Sequence, residues 1–176
     1  WKAQEIVKMI ERNKLAFSLV GDVGCGAGQV LVELAKRLPA NKEYYGFETS
    51  PDAFSICRHK ETGNIKYLHE DIISNDTFFD LLLVIDVFEH TENYLGFLKA
   101  LRKKGHYKIF HIPLDLSVQS VLRMTPISRA RNVVGHLHYF SKETAIATLG
   151  YCGYQIIDHF YTPGSELSPN KNIPTR

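Results

Sequence analysis

The sequence predicts an α/β fold of the doubly wound kind, a three-layer sandwich with a mostly parallel central sheet, and three observations carry that prediction. Helical and strand patterns alternate along the 176 residues. The run Leu19-Val20-Gly21-Asp22-Val23 passes through Gly24, Gly26 and Gly28 straight into a helical pattern. The stretch from Phe79 to Asp86 is apolar almost throughout, as a parallel strand covered on both faces should be.

The elements follow in order. Ala3, Ile6, Val7 and Ile10 make the single apolar stripe of an opening helix, and Phe17 to Val23 form the first strand. Val30, Leu31, Leu34 and Leu38 give the next helix its buried face, and Pro39 stops it. Lys42 to Glu48 is the second strand. Ser50 and Pro51, a cap residue and a proline at the first helical position, open a helix carrying Ala53, Phe54, Ile56 and Cys57. Asn64 to Ile72 is the third strand, and a short crossover leads to the fourth. Tyr94, Leu95, Leu98 and Leu101 mark a helix ending at Gly105, followed by a fifth strand from Tyr107 to Ile112. Ser141 caps a last helix that ends at Gly150 or Gly153, and the alternation of Tyr154 to Tyr161 predicts a sixth strand.

Gly24, Gly26 and Gly28 lack the Cβ atoms that would hold a ligand away from the backbone, and they permit the positive φ angles of a tight strand-to-helix turn. The amides at the start of the following helix are left pointing outward. Two ligand classes use such a turn. The dinucleotide fingerprint GxGxxG needs its third glycine where this chain has Gln29, whereas the order here is GxGxG. Asp22, just ahead of the glycines, suits a ligand carrying an ammonium group, which points to S-adenosylmethionine. Later strand ends supply matching chemistry. Glu48 lies about twenty residues past the glycines, where a carboxylate grips a ribose diol, and Asp71 beside Ile72 can accept from an adenine amino group.

The glycine segment, followed in order by these acids and by a strand ending Asp86-Val87, resembles the class I, Rossmann-like S-adenosylmethionine-dependent methyltransferases. That resemblance implies a seven-stranded sheet, of which six strands can be placed here. It carries a cofactor-binding role to Asp22, Gly24, Cys25, Gly26, Gly28, Glu48, Thr49, Asp71, Ile72, Asp86 and Val87. It also puts Asp86 to His90 on the wall between the methionine moiety and the methyl acceptor.

Pro113 to Phe140 is the long insertion where this kind of fold recognises its acceptor. Leu114, Leu116, Val118, Val121, Leu122 and Met124, interleaved with Arg123, Arg129 and Arg131, make either an apolar lid for a lipid-like or anionic acceptor or a helix packed on the sheet edge. Gly135-His136-Leu137-His138-Tyr139-Phe140-Ser141 resembles the GHxxxFS stretch of one methyltransferase branch associated with glycan, cell-envelope, lipid or quinone biosynthesis. Trp1 fits the end of the tryptophan-bearing segment that precedes the first helix in that branch. His136, His90 and His111 are the candidate catalytic residues, each able to take a proton from a hydroxyl near neutral pH, or else they are ordinary structural histidines. Asp86, Glu89 and His90 could gather around a divalent cation, but the expectation is no metal, with Glu89-His90 opening a helix under a favourable dipole.

Length and composition set the remaining bounds. With 44% hydrophobic and 23% charged residues, 1–176 reads as one globular domain. A formal charge of +2 and the lack of any long Lys/Arg run argue against a nucleic-acid partner. Cys25, Cys57 and Cys152 are scattered, without CxxC spacing, as in a cytoplasmic protein with reduced thiols. No apolar run reaches the length of a membrane span and none reads as a secretory leader, while peripheral membrane contact stays open. Opening on Trp1, directly on a helix, leads to the expectation of a fragment of a longer chain. The reading is methyl transfer from S-adenosylmethionine to a small-molecule hydroxyl of a lipid, quinone or glycan-related metabolite. The alternatives are a non-catalytic S-adenosylmethionine-binding module and an NAD(P)-dependent oxidoreductase, the latter opposed by Gln29 and by the want of a hydride-transfer signature.

Overall fold

In a computed structural model that describes residues 1–162, β1 (Leu19–Val23), β2 (Glu43–Phe47), β3 (Ile65–Leu68), β4 (Phe79–Ile85) and β5 (Gly105–His111) pair in parallel, in the order β3-β2-β1-β4-β5. The helices are α1 (Lys2–Arg12), α2 (Gln29–Arg37), α3 (Pro51–Cys57), α4 (Tyr94–Leu101), α5 (Val118–Arg123), α6 (Thr125–Arg129) and α7 (Lys142–Tyr151). β4 shows why the sheet is covered on both sides. Leu81, Leu83 and Ile85 join a core with α1, α2 and α3, whereas Leu82 and Val84 join a second core with α4 and α7. Each leucine so buried stabilises the fold by roughly 1.5–3 kcal/mol relative to exposure.

After β3 the chain crosses β1 and β2 to lay β4 on the far side of β1, through a connection with no helix, in line with the short crossover read from the sequence. The winding direction therefore reverses between β1 and β4. In open α/β sheets the crevice outside the carboxyl ends of two such strands is the place where ligands bind.

Strand bounds differ from expectation at β3, which ends at Leu68 and not Ile72, at β5, which starts at Gly105 and not Tyr107, and at the start of β1. β1 begins at Leu19 because Asp80 Oδ2 accepts from the amides of Ser18 (2.8 Å) and Leu19 (2.9 Å), so a side chain occupies those donors. α7 runs through Gly150 and closes at Gly153, whose φ of 86° and amide bond to the Gly150 carbonyl (2.9 Å) turn the chain out of the helix. The predicted sixth strand, Tyr154 to Tyr161, is not a strand: among the described residues it makes no ladder. A groove of about 470 Å³ lies along it and β5, lined by Ile109, Ile112, Tyr154 and Ile156 among others, so alternation there reflects partial burial without strand pairing. Of the seven strands that the resemblance implies, five are present among the described residues.

Gly46 in β2 has a requirement that no turn imposes. A Cβ at this position would lie 2.5 Å from Tyr67 Cδ1 and 2.8 Å from Cys25 Sγ. Gly46→Ala is expected to lower stability by about 1–3 kcal/mol through overpacking, read as a lower thermal midpoint. An unchanged midpoint would show that Tyr67 can move aside. No helix among the described residues is long and apolar enough to cross a membrane.

Candidate active site

Gly24, Gly26 and Gly28 have φ of 61°, 56° and 76°, the left-handed conformations expected of the turn. The Cys25 amide donates to the Phe47 carbonyl at 3.0 Å, extending the β1–β2 ladder into the loop. Tyr67 closes the loop from behind. Its buried hydroxyl donates to the Gly28 carbonyl at 2.7 Å, and a Cβ on Gly28 would meet its ring and hydroxyl at 2.7 Å. At Gly26 a Cβ would face open space, so the loop is fastened on one side and accessible on the other. Cys25 contributes only backbone: its thiol is buried against Gly46, and burial pushes it far above the ordinary thiol range.

Glu48, at the end of β2, is buried and accepts from the Gly26 amide through Oε2 (2.7 Å) and from the Ser50 amide through Oε1 (2.8 Å). Each oxygen keeps a lone pair for a diol. Thr49 is exposed, and its carbonyl lies 3.1 Å from His69 Nε2, whose ring stacks on Phe54. Asp71 is exposed and accepts the Ile73 amide at 2.9 Å through Oδ1, which leaves Oδ2 for another donor, whereas Ile72 turns into the core.

Asp22 is 2% exposed, and its Oδ2 has no hydrogen-bond partner among the described residues. Burial pushes its carboxyl up to about 7, with the Lys2 ammonium opposing and the Glu48 carboxylate adding to the rise. A folded value above the ordinary 3.8 means that the folded chain holds this proton more tightly than the unfolded chain does. The contribution is complete below about pH 4 and is lost as pH rises through about 7. Glu89, also raised to about 7 by burial, acts in the same sense. The chain without cofactor is therefore expected to lose stability between those limits, by about 4 kcal/mol from Asp22 alone. Asp22→Asn should flatten much of that slope, and denaturant titrations at several pH values check it. An identical slope in the variant would mean that Asp22 is ionised at no cost.

At the end of β4 the backbone turns at Asp86, with φ of 56°. Lys2 Nζ donates to Asp86 Oδ2 at 2.5 Å, and His111 Nδ1 binds Oδ1. Burial works against the charge on Asp86, but those two partners hold its carboxyl below the usual range. His111 also reaches Thr162 Oγ1 at 3.2 Å and meets Trp1 edge-to-face. Val87 packs on the glycine loop: a Cβ on Gly24 would lie 3.2 Å from its Cγ2.

A second cluster follows at once. Phe88–His90 is a single 3₁₀ turn, so Glu89-His90 does not open a helix as expected; Asn93 caps α4 by accepting from the Gly96 amide at 3.1 Å. The reason is that Glu89 points inward, fully buried, with neither carboxylate oxygen hydrogen-bonded among the described residues. Its carbonyl accepts from the amides of Leu137 (2.8 Å) and His138 (3.1 Å), which clips the GHxxxFS segment onto this turn. His136 is thereby buried beside His90, ring centroids 4.9 Å apart, with Nδ1 2.6 Å from Asp115 Oδ2. His90 Nδ1 lies 3.1 Å from the Gly135 carbonyl, and its Nε2 lies 4.0 Å from Glu89 Oε1. Glu89, His90 and His136 bring ligand-capable atoms within 4.8 Å of one another and could hold a divalent cation. The grouping of Asp86 with Glu89 and His90 is corrected, because Asp86 faces Lys2 and His111 instead.

The three candidate histidines thus separate, His90 with His136 and His111 with Asp86. Sequence reasoning missed Lys2, Asp115 and Tyr67. Only Tyr67 had a usable signal, its inward place in an alternating third strand.

A family model described as "Methyltransferase domain" matches residues 6–159. The chain is 29% identical over 102 residues to the mitochondrial ubiquinone biosynthesis O-methyltransferase of Schizosaccharomyces pombe, covering 53% of this chain and 36% of that protein. It is 28% identical over 100 residues to the ubiquinone biosynthesis O-methyltransferase of Rickettsia typhi, covering 53% of this chain and 41% of that one. Both matches span less than half of the relative's length. Among solved structures, the magnesium protoporphyrin IX methyltransferase of Synechocystis PCC 6803 with bound SAH superimposes with a TM-score of 0.66 at 20% identity, covering 86% of this chain and 71% of that one.

Proposed function

The chain belongs to the family of methyltransferase domains, and from that premise we propose that it transfers a methyl group from S-adenosylmethionine to a hydroxyl oxygen of a small, largely apolar acceptor of the quinol or phenol class. The cofactor fits the residues present. Asp22 offers an unpartnered buried carboxylate oxygen to an ammonium, Gly26 leaves open space for close approach, and Glu48 has oxygens to spare for a diol. Asp71 Oδ2 and Val87 complete the set of contacts. When bound, the sulfonium supplies an electrophilic methyl group.

The protein's own part is positioning and proton management. The observation that carries the hydroxyl reading is the Asp115–His136 pair, at 2.6 Å, on the segment clipped to the end of β4. Asp115 fixes Nδ1 as the protonated nitrogen, which leaves Nε2 as a base for an acceptor proton. Nucleophilic attack by an oxygen gains from such a base, because the neutral hydroxyl is a poor nucleophile. His90, with Nδ1 turned to the Gly135 carbonyl, orients the acceptor beside it. The relatives named as ubiquinone biosynthesis O-methyltransferases support an oxygen acceptor on a quinone-related ring.

Labelled S-adenosylmethionine and a panel of acceptors test this reading. Label should pass to substituted catechols and hydroquinones bearing an apolar tail, and should not pass to amines of similar size. Transfer to the amines alone would overturn it.

A further inference from the structure

We propose that Lys60 and Tyr67 are positioning residues for methyl transfer, which hold the glycine turn in its binding form before the cofactor arrives. A turn with three glycines at positive φ has few side chains of its own to hold it, and such a backbone is costly to order. Two side chains from outside the turn supply what it lacks. Lys60 Nζ donates to the Ala27 carbonyl at 2.7 Å, and the Tyr67 hydroxyl donates to the carbonyl of the next residue, Gly28, at the same distance. Both donors belong to one unit. Glu61 Oε1 accepts the Tyr67 amide at 3.0 Å, which ties the 3₁₀ turn Arg58–Lys60 to β3.

Gln29 has a place in the same arrangement. Its Oε1 accepts from Lys60 Nζ at 3.0 Å, and its Nε2 donates to Glu33 Oε1 at 3.3 Å. A glycine here, as in the dinucleotide fingerprint, would leave Lys60 with the carbonyl alone. The Gly28 carbonyl depends on Tyr67 for its direction. Its helical partner, the Val32 amide, lies at 3.5 Å, so the shorter bond to the Tyr67 hydroxyl sets that peptide plane. The C=O and N–H of a trans peptide point in opposite directions, so the Gln29 amide, the first of α2, is turned away from Tyr67. Neither Lys60 nor Tyr67 needs to touch the cofactor. They take the ordering cost out of the binding step, which is how a preorganised site gains affinity. The inference rests on the cofactor and not on the choice of a hydroxyl acceptor.

Calorimetric titration of the full chain with S-adenosylmethionine and S-adenosylhomocysteine tests this. Lys60→Met and Tyr67→Phe should each weaken both ligands about five- to tenfold, and the double variant about thirtyfold or more. The sign of the Lys60 effect is diagnostic. S-adenosylmethionine carries a net positive charge and S-adenosylhomocysteine none, so loss of a nearby cation acting through its charge alone would tighten the first and leave the second unchanged. Equal weakening of both is the expected result, and Lys60→Arg should restore both affinities. Amide hydrogen exchange gives a second readout that a merely structural role would not move: in the cofactor-free variants the amides of Gly24 to Gly28 should exchange faster than in the parent, while those of α7 match it. The proposal is overturned by unchanged affinity in both single variants, by a gain for S-adenosylmethionine alone in Lys60→Met, or by faster exchange spread evenly over the chain, which would make the two bonds part of general stability and nothing more.

Discussion

His136→Asn is expected to lower kcat for a hydroxyl acceptor by about 10²–10⁴-fold while leaving S-adenosylmethionine affinity nearly unchanged. The imidazole is buried and held through Nδ1 by Asp115, 21 residues earlier, so its orientation does not depend on the acceptor. An asparagine preserves polarity but offers no basic nitrogen. Asp115→Asn should give a smaller loss, because the imidazole remains while its tautomer and orientation are no longer imposed. The decisive readout is the pH profile of kcat/KM. The limb that reports a base in the free enzyme should vanish in His136→Asn and persist, shifted, in Asp115→Asn. A preserved limb in His136→Asn would remove this histidine from the chemistry. His90→Asn should then be compared, with a milder loss expected since His90 is the exposed member of the pair.

Glu48→Ala is expected to weaken S-adenosylmethionine and S-adenosylhomocysteine binding by about a hundredfold or more. Two backbone amides, of Gly26 and Ser50, donate to the carboxylate at 2.7 and 2.8 Å, and the remaining lone pairs are the ones a ribose would use. Bonds to charged groups contribute roughly 1.5–3 kcal/mol each, so loss of the ribose contacts alone reaches that factor. The two orphaned amides should also lower stability by about 1–3 kcal/mol. Glu48→Gln separates the two effects, since it can still accept one amide while losing the second carboxylate oxygen. Calorimetry with a thermal melt on each variant reads both. Tight binding by Glu48→Ala would leave this residue as a loop clamp and nothing more.

Much of the fold was legible because local patterns suffice to specify it. The apolar run of β4 declares a strand covered on both faces, and the glycines at φ of 56–76° declare their turn by the absence of side chains. The place of Glu48 at the end of β2, beside the glycine turn, was legible for the same reason, through its fixed distance along one βαβ unit. The stretch from Tyr154 to Tyr161 was misread because alternation reports burial of one face, whereas a strand also needs a neighbour for its amides. Glu89 was misread because an acid near a helix start is usually solvated, and only the clip from Leu137 and His138 turns it inward. Lys2 and Asp115 were not legible at all. Their partners lie 84 and 21 residues away, and no periodicity in a sequence encodes which distant carboxylate or imidazole a side chain will meet.

The packing of Val87 on Gly24 has a further consequence. One side chain touches the loop that would hold the cofactor, and the next residue begins the turn that carries Glu89 and His90. A shift of the loop on one side must therefore be felt as strain on the other. With the acceptor seated against that turn as proposed, the two binding events are expected to share a coupling free energy, which thermodynamics makes reciprocal: whatever factor the cofactor imposes on acceptor affinity, the acceptor would impose on cofactor affinity. Trimming Val87 to alanine loosens the shared contact, so the two affinities, measured each in the presence and absence of the other ligand, should drift toward independence.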